Sequence, residues 1–320
     1  MNAGLPPRQP LLLQPPALQA GDRVRLVAAS SALGDLARLQ AGLAVLTSWG
    51  LELDDDPTRL PARRWGYLAG QDAERAGDLR PSGDPESSPA LLACVRGGWG
   101  SARLLERPLE TAGGWLLGFS DVTSLLWHRL AMGRGGAIHG PLLTTLAGEP
   151  AWSQERLRAL LFGEPLGDLD GESWVGGQAE GPLLAANLTV ATHLLGTPHL
   201  PDLDGAILVL EDVGEAPYRL ERMLTHWRLC GALQRLGGIG FGSFEGCDDP
   251  GEADGDSPRF SLEQVLRERT ADLGIPVLAG LPVGHGPVNA ALPLGVRARL
   301  DGDRGRLSVV AAGPGSVSCR

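Results

Sequence analysis

The chain reads as an α/β protein with a mostly parallel sheet, and three features of the sequence predict this. Short apolar runs alternate with segments whose leucines recur at helical spacing, as in Leu36, Leu39, Leu43 and Leu46. Small-residue or glycine-rich turns follow the apolar runs, where a parallel sheet presents ligand loops at the carboxyl ends of its strands. The third feature is size: 320 residues exceed what one hydrophobic core usually supports, while a 43% hydrophobic fraction allows a full interior. The expected organisation is a first domain over residues 1–165, a Gly-rich irregular linker over 166–182 and a second domain over 183–320.

Met1 to Ala20 are Pro-rich and expected to run extended over the surface. Gly21-Asp22 opens a strand at Arg23 to Ala28, which exits through Ala29, Ser30 and Ser31 into the first helix. The run Asp54-Asp55-Asp56 reads as a solvated turn. A second helix follows Asp72, a polar loop covers Pro81 to Pro89, and a strand at Leu91 to Val95 ends in Arg96-Gly97-Gly98-Trp99-Gly100 before a helix from Ser101. Trp115-Leu116-Leu117 is the next strand, and Val122, Leu125, Leu126 and Leu130 mark the helix after it.

Beyond the linker, Ala206 to Leu210 is an apolar strand ending at Glu211-Asp212, and Arg219 to Leu233 is helical. Ile239 to Phe244 is a strand interrupted by glycines, and the run Gly237 to Gly242 lies inside it, so these glycines imply close packing instead of a nucleotide loop. An acidic loop at Cys247 to Pro258, a helix at Leu262 to Leu273 and a strand at Pro276 to Ala279 follow. Val296 to Leu300 and Leu307 to Val310 form a hairpin around Asp301-Gly302-Asp303-Arg304-Gly305.

Composition narrows the chemistry. Net charge is −10 and the 28 basic residues are scattered, which argues against nucleic acid or an anionic membrane as partner and favours a small-molecule or peptide substrate. Every one of those 28 residues is arginine, so Schiff-base catalysis, a Ser-Lys dyad and a P-loop lysine are excluded. Cys94, Cys230, Cys247 and Cys319 have neither CxxC spacing nor the density of a disulfide scaffold, and no paired His or Cys ligands suggest a metal. Neither a signal peptide nor a membrane span is visible, so a cytoplasmic protein is expected.

Ser120, in Gly118-Phe119-Ser120-Asp121-Val122-Thr123, falls where strand turns sharply into helix. A side chain there is held outward, and the free N–H groups of the first helical turn stabilise negative charge, which suits acyl transfer. Serine in that position is also a common helix N-cap, and Val122 replaces the second glycine of the G-x-S-x-G elbow, so both roles stand open. A nucleophile needs a base. His128 lies two turns along the following helix and should point away, while His193, His199 and His226 sit in helical or Pro-flanked settings that read as structural. His139 ends a short apolar segment and can line a pocket, whereas His285 has glycines on both sides and follows a strand, which makes it the better base. Glu211 ends an apolar strand where a carboxylate would aim at a histidine; Asp212 and Glu215 compete, and simple solvation at a strand end is the alternative.

Taken together, these segments resemble one family, the L,D-carboxypeptidases of murein recycling with their relatives the microcin-immunity peptidases. The resemblance runs through Gly21-Asp22, Ser30-Ser31, Tyr67-Leu68-Ala69-Gly70, Arg96 to Gly100, Gly118 to Asp121, His139-Gly140-Pro141, Asn187-Leu188, Leu210 to Val213, Tyr218-Arg219 and Gly284-His285, nearly the whole chain. It implies a Rossmann-like first domain, a smaller β-rich second domain, a cleft site between them and a homodimer. It also implies a serine peptidase with Ser120, Glu211 and His285 as triad, backbone N–H groups of Asp121 and Gly98 as oxyanion hole, and no cofactor. The implied substrate is a small peptide, the murein tetrapeptide, cut before its terminal D-alanine; hydrolysis of peptidyl-nucleotide antibiotics, with Trp99 or Trp174 stacking on a base, and a non-catalytic binding role are the alternatives. Trp99 and Phe119 stand where the family often has tyrosine, and Ala29 where it often has proline; Trp99, Phe119 and His139 are the expected substrate contacts.

Overall fold

The computed structural model describes residues 12–83, 88–248 and 260–310. In chain order the first half holds β1 (Arg23–Val27), α1 (Leu36–Ser48), β2 (Glu52–Leu53), α2 (Asp72–Gly77), β3 (Leu91–Cys94), β4 (Trp115–Gly118), α3 (Thr123–Ala131), β5 (Ala137–His139), α4 (Leu143–Leu146) and α5 (Ala151–Leu161). The second half holds β6 (Leu169–Asp170), β7 (Glu172–Val175), β8 (Gln178–Asn187), α6 (Leu188–Leu194), β9 (Ile207–Val213), α7 (Pro217–Leu229), β10 (Gly238–Glu245), α8 (Leu262–Thr270), β11 (Val277–Ala279), β12 (Leu292–Pro293), β13 (Arg297–Asp301) and β14 (Arg306–Val309).

The first sheet has the order β12-β5-β4-β3-β1-β2, parallel throughout except for β12. The order 2-1-3-4-5 is one of the two common doubly wound arrangements, and its ligand crevice lies beyond the carboxyl ends of β1 and β3, where strand order reverses. The runs Leu91–Cys94 and Trp115–Gly118 are buried along their whole length, as central parallel strands covered on both faces must be. Helix α1 covers one face: Asp35 caps it by accepting from Arg38 N–H, and Leu39, Leu43 and Leu46 are buried beneath it, each contributing roughly 2 kcal/mol. Gly42 lies against the Leu143 carbonyl of α4, so an alanine there would drive its Cβ into backbone.

The second sheet has eight strands in the order β6-β14-β13-β8-β9-β10-β11-β7, with a parallel centre of β8, β9, β10 and β11 and antiparallel edges. The stretch 166–182, read from sequence as an irregular linker, carries β6, β7 and the start of β8. Its strands are too short to show a two-residue alternation, and Gly171, Gly176 and Gly177 interrupt what alternation there is. Gly238, Gly240 and Gly242 do sit inside β10, where side chains at those places would meet Leu300, Leu281 and the Val283 carbonyl. The helix expected from Ser101 is a 3-10 turn over Ala102–Glu106.

The two halves share one interior. Trp127 of α3 is fully buried, donates from Nε1 to the Ala185 carbonyl of β8 at 3.0 Å and meets Trp227 of α7 edge to face at 6.3 Å. Strand β12, far along the chain, returns to pair with β5 of the first sheet. The proline-rich entry is tied down as well: Trp115 Nε1 donates to the Pro16 carbonyl and Leu18 is buried. Residues 1–11 of that entry, residues 84–87 of the polar loop, residues 249–258 of the acidic loop and Cys319 lie outside the described residues. Among the described residues no helix is long and apolar enough to cross a membrane.

Candidate active site

Ser120 sits two residues past β4 with φ at +62°, the one non-glycine residue with positive φ among those described. A β-carbon in the left-handed region costs roughly 1–3 kcal/mol and persists only where the surroundings over-determine it. The hydroxyl caps no helix: neither the 3-10 turn at Ser120–Val122 nor α3 has a side-chain cap bond. The capping role that its sequence position suggested is therefore ruled out, because the turn throws the side chain away from the helix it begins. Ser120 Oγ instead stands 3.1 Å from His285 Nε2, and His285 Nδ1 stands 2.6 Å from Glu211 Oε2.

The nucleophile turn is braced through Asp121, whose carboxylate is buried. Its Oδ2 accepts from Ser30 Oγ at 2.6 Å and from Ser101 N–H at 2.8 Å, and its Oδ1 accepts from Gly100 N–H at 3.3 Å. Ser101 Oγ donates back to the Asp121 carbonyl at 2.5 Å. One acid thus ties the β1 exit and the Gly97–Ser101 loop to the turn that carries Ser120. That loop comes close enough to require glycine: a Cβ on Gly97 would lie 3.1 Å from Ser120 Oγ, and Gly98 has φ at +108° with Ser31 packed against it. Ser31 Oγ accepts from Trp99 N–H at 3.0 Å and fixes the loop's direction. Gly98 follows Gly97 in that loop, and Asp121 follows Ser120 in the turn.

Glu211 comes from β9 and is fully buried. Burial pushes its carboxyl above the ordinary range, while the hydrogen bond and charge of His285 pull the other way. Its competitors are committed elsewhere: Asp212 accepts from Asn187 Nδ2 and Thr189 Oγ1, and Glu215 pairs with Arg219. His285 stands on the loop after β11, held by Gly284 N–H to Asn289 Oδ1 at 2.9 Å and Gly286 N–H to Ser243 Oγ at 2.8 Å. Asn289 N–H in turn donates to Glu149 Oε2 at 2.9 Å, a first-half residue. Gly284, with φ at +114°, cannot be replaced without striking Glu211, since its Cβ would lie 2.6 Å from Glu211 Cβ.

Phe119 and His139, expected to touch substrate, are 4% and 0% exposed. Both are buried and form the floor of the site, Phe119 just past β4 and His139 at the end of β5. The Phe119 ring lies between the imidazoles, 4.7 Å from that of His285 and 5.7 Å from that of His139. Burial, and then the charge of His285, push His139 down to about 3, so it stays neutral beneath the base. Trp99, in the loop beside the nucleophile, is half exposed. His128 points away, its Nδ1 2.9 Å from His199 Nδ1. Sequence reasoning missed the bracing roles of Ser30, Ser31, Ser101, Asp121, Ser243, Asn289 and Glu149; the signal available was the acid directly after Ser120.

A hydroxyl, an imidazole and a buried carboxylate in hydrogen-bonded series, at the carboxyl edge of a doubly wound sheet, form the arrangement of a serine-nucleophile hydrolase. Residues 24–140 match the LD-carboxypeptidase N-terminal domain and residues 180–300 match the LD-carboxypeptidase C-terminal domain. The chain belongs to this family of peptidases. It is 50% identical over 300 residues to a putative carboxypeptidase of Synechocystis sp., covering 92% of this chain and 97% of that one. It is 37% identical over 305 residues to the murein tetrapeptide carboxypeptidase of Pseudomonas aeruginosa, covering 88% and 94%. The crystal structure of muramoyltetrapeptide carboxypeptidase from Oxalobacter formigenes superposes with a TM-score of 0.75 at 27% identity, over 89% of this chain and 97% of that one.

Proposed function

We propose that the protein is a serine L,D-carboxypeptidase that removes the terminal D-alanine from murein tetrapeptide in the cytoplasm, in the recycling of peptidoglycan. The observation that carries this reading is the series Ser120 Oγ, His285 and Glu211, at 3.1 and 2.6 Å. Ser120 Oγ attacks the scissile carbonyl while its proton passes to His285 Nε2, and the oxyanion is received by the N–H groups of Asp121 and Gly98. Collapse breaks the C–N bond, and the same proton goes to the departing amine of D-alanine. Water, deprotonated by His285, then attacks the acyl-enzyme and releases the tripeptide with Ser120 restored. Glu211 holds the imidazole in the tautomer with Nδ1–H and stabilises the imidazolium formed on the way.

Incubation of purified protein with tetrapeptides carrying diaminopimelate, lysine or ornithine third, followed by mass spectrometry, should yield tripeptide and D-alanine from at least one of them. No release from any of the three would overturn the reading. A homodimer belongs to the same proposal and is checked by light scattering after gel filtration, where a mass of one chain would refute it.

A further inference from the structure

We propose that Arg96 is the residue that recognises the free carboxylate of the leaving amino acid, and so makes the site an exopeptidase site; this rests on the carboxypeptidase reading above. A peptidase that releases a single terminal residue must sense a carboxylate about 4 Å beyond the scissile carbonyl, one residue's length along the chain. The protein as a whole carries a net charge of −10, so its overall field repels such a substrate, and the attraction has to be local. With no lysine in the sequence, arginine is the side chain whose permanent charge can supply it.

Of the arginines around the nucleophile, Arg75, Arg103 and Arg63 are paired with carboxylates among the described residues, whereas Arg64 and Arg96 are not. Arg75 is fully buried and donates to the Ala29 and Gly100 carbonyls and to Asp72. Arg103 pairs with Asp72 at 3.0 Å and Arg63 with Asp78 at 2.9 Å. Arg64 is exposed and reaches the Leu33 carbonyl. Arg96 is half-buried, its Nη1 anchored on the Ala32 carbonyl at 3.0 Å, and among the described residues no carboxylate pairs with it. Its Nη2 lies against Gly98: a Cβ built there would be 3.4 Å from it. The neighbouring Gly97 is the residue packed on Ser120 Oγ.

The guanidinium therefore flanks the loop assigned to the oxyanion, tethered by Nη1 and with no carboxylate on its other nitrogens among the described residues. A planar fork held on one side presents its remaining N–H groups to a carboxylate without the ordering cost of a free side chain. Glycine at 98 is required by its positive φ and by Ser31, whose Cβ would lie 2.8 Å from a side chain built there. Arg222 is the rival: it is exposed on α7, beyond β9, and its cation rests on the Tyr218 ring with no carboxylate partner among the described residues. It has no carbonyl tether and lies on the far element from Gly98.

The test uses the full chain and two peptides, the tetrapeptide ending in D-alanine and the same peptide as its C-terminal amide. Wild type should prefer the free acid by about 100-fold in kcat/KM, the scale of a charge pair lost from a partly desolvated site. Arg96→Gln should lose about that factor more on the acid than on the amide, so that the preference collapses, and Arg96→Lys should recover part of it. Binding of both peptides to Ser120→Ala protein, with and without Arg96→Gln, gives the same contrast without turnover, and circular dichroism with melting confirms that each variant is folded. Cleavage of the tetrapeptide with the preference intact in Arg96→Gln sinks the role of Arg96 and leaves the reaction standing. Absence of cleavage, with Arg96-dependent binding of the acid, sinks the reaction and leaves the carboxylate site standing. Failure to bind either peptide, or collapse of the preference in Arg222→Gln instead, overturns the proposal.

Discussion

The surroundings of Ser120 and those of His285 are built differently. Around Ser120 the backbone does the positioning: a positive φ, a loop packed to glycine distance and the Asp121 carboxylate accepting three donors from two loops. His285 stands on a loop, its side chain 20% exposed, and its ring is directed by Glu211 and by a few backbone hydrogen bonds. Geometry on one side is stored in strained and satisfied backbone; on the other it depends on one buried charge. Damage to the bracing on the nucleophile side should therefore appear in stability as well as rate, and damage to the base side mostly in rate.

The largest effect separates chemistry from scaffold. Ser120→Ala should lose turnover by about a millionfold, as loss of a triad nucleophile does, with stability little changed. Ser120→Gly should lose as much activity and gain about 1 kcal/mol, since glycine adopts φ +62° without strain. Chemical denaturation of the two variants checks the difference; equal stabilities would mean that the turn holds no strain.

Next is the orienting charge. Glu211→Gln should lower kcat by about 10³ to 10⁴-fold, because the amide cannot hold the imidazole tautomer or balance the imidazolium. Stability should move the other way with pH. A carboxyl raised above its ordinary value of 4.5 in the fold contributes stability below that value and loses it as pH rises through the folded value. The Gln variant, free of that loss, should gain on wild type from acid to neutral pH. A constant difference across the range would show Glu211 ionising as it does in the unfolded chain.

On the opposite side, Asp121→Ala strands the Ser30 hydroxyl and the Gly100 and Ser101 N–H groups, and should cost about 2–4 kcal/mol together with activity. Asp121→Asn, which keeps one acceptor oxygen, should fall between. If both variants lost rate but no stability, the proposed contrast between the two sides would collapse.

The contrast also explains what the sequence disclosed. Strand and helix order was legible because apolar runs and helical leucine spacing survive in β1, α1, β3, β4 and α3. The short edge strands β6 and β7 were not, since two to four residues broken by glycines carry no period. Ser120 and His285 stood out because sharp turns leave local signatures. The capping reading failed because φ is a tertiary outcome that local composition does not carry. Asp121, Ser243, Asn289 and Glu149 act across separations of up to 140 residues, and no local pattern encodes such a pairing. For Phe119 and His139 the position near the nucleophile was legible and their burial was not.

The smallest effect tests the seam where the two sides meet, the His139, Phe119 and His285 stack. His139 is pushed from 6.5 to about 3 by burial and then by the charge of His285. The unfolded chain takes up a proton below 6.5 that the folded chain refuses, so stability should fall as pH drops from there towards 3, by at most ~1.4 kcal/mol per pH unit and about 2 kcal/mol by pH 5. His139→Leu removes the titrating group while keeping a buried side chain of similar volume, so its constant packing difference cancels when slopes are compared. The variant's stability should fall less steeply than wild type between pH 6.5 and 4, measured by urea unfolding at fixed ionic strength. Parallel curves would mean that His139 accepts a proton in the folded protein. The imidazolium formed on His285 during turnover would then face a second cation across the Phe119 ring, and the floor of the site would oppose the base it supports.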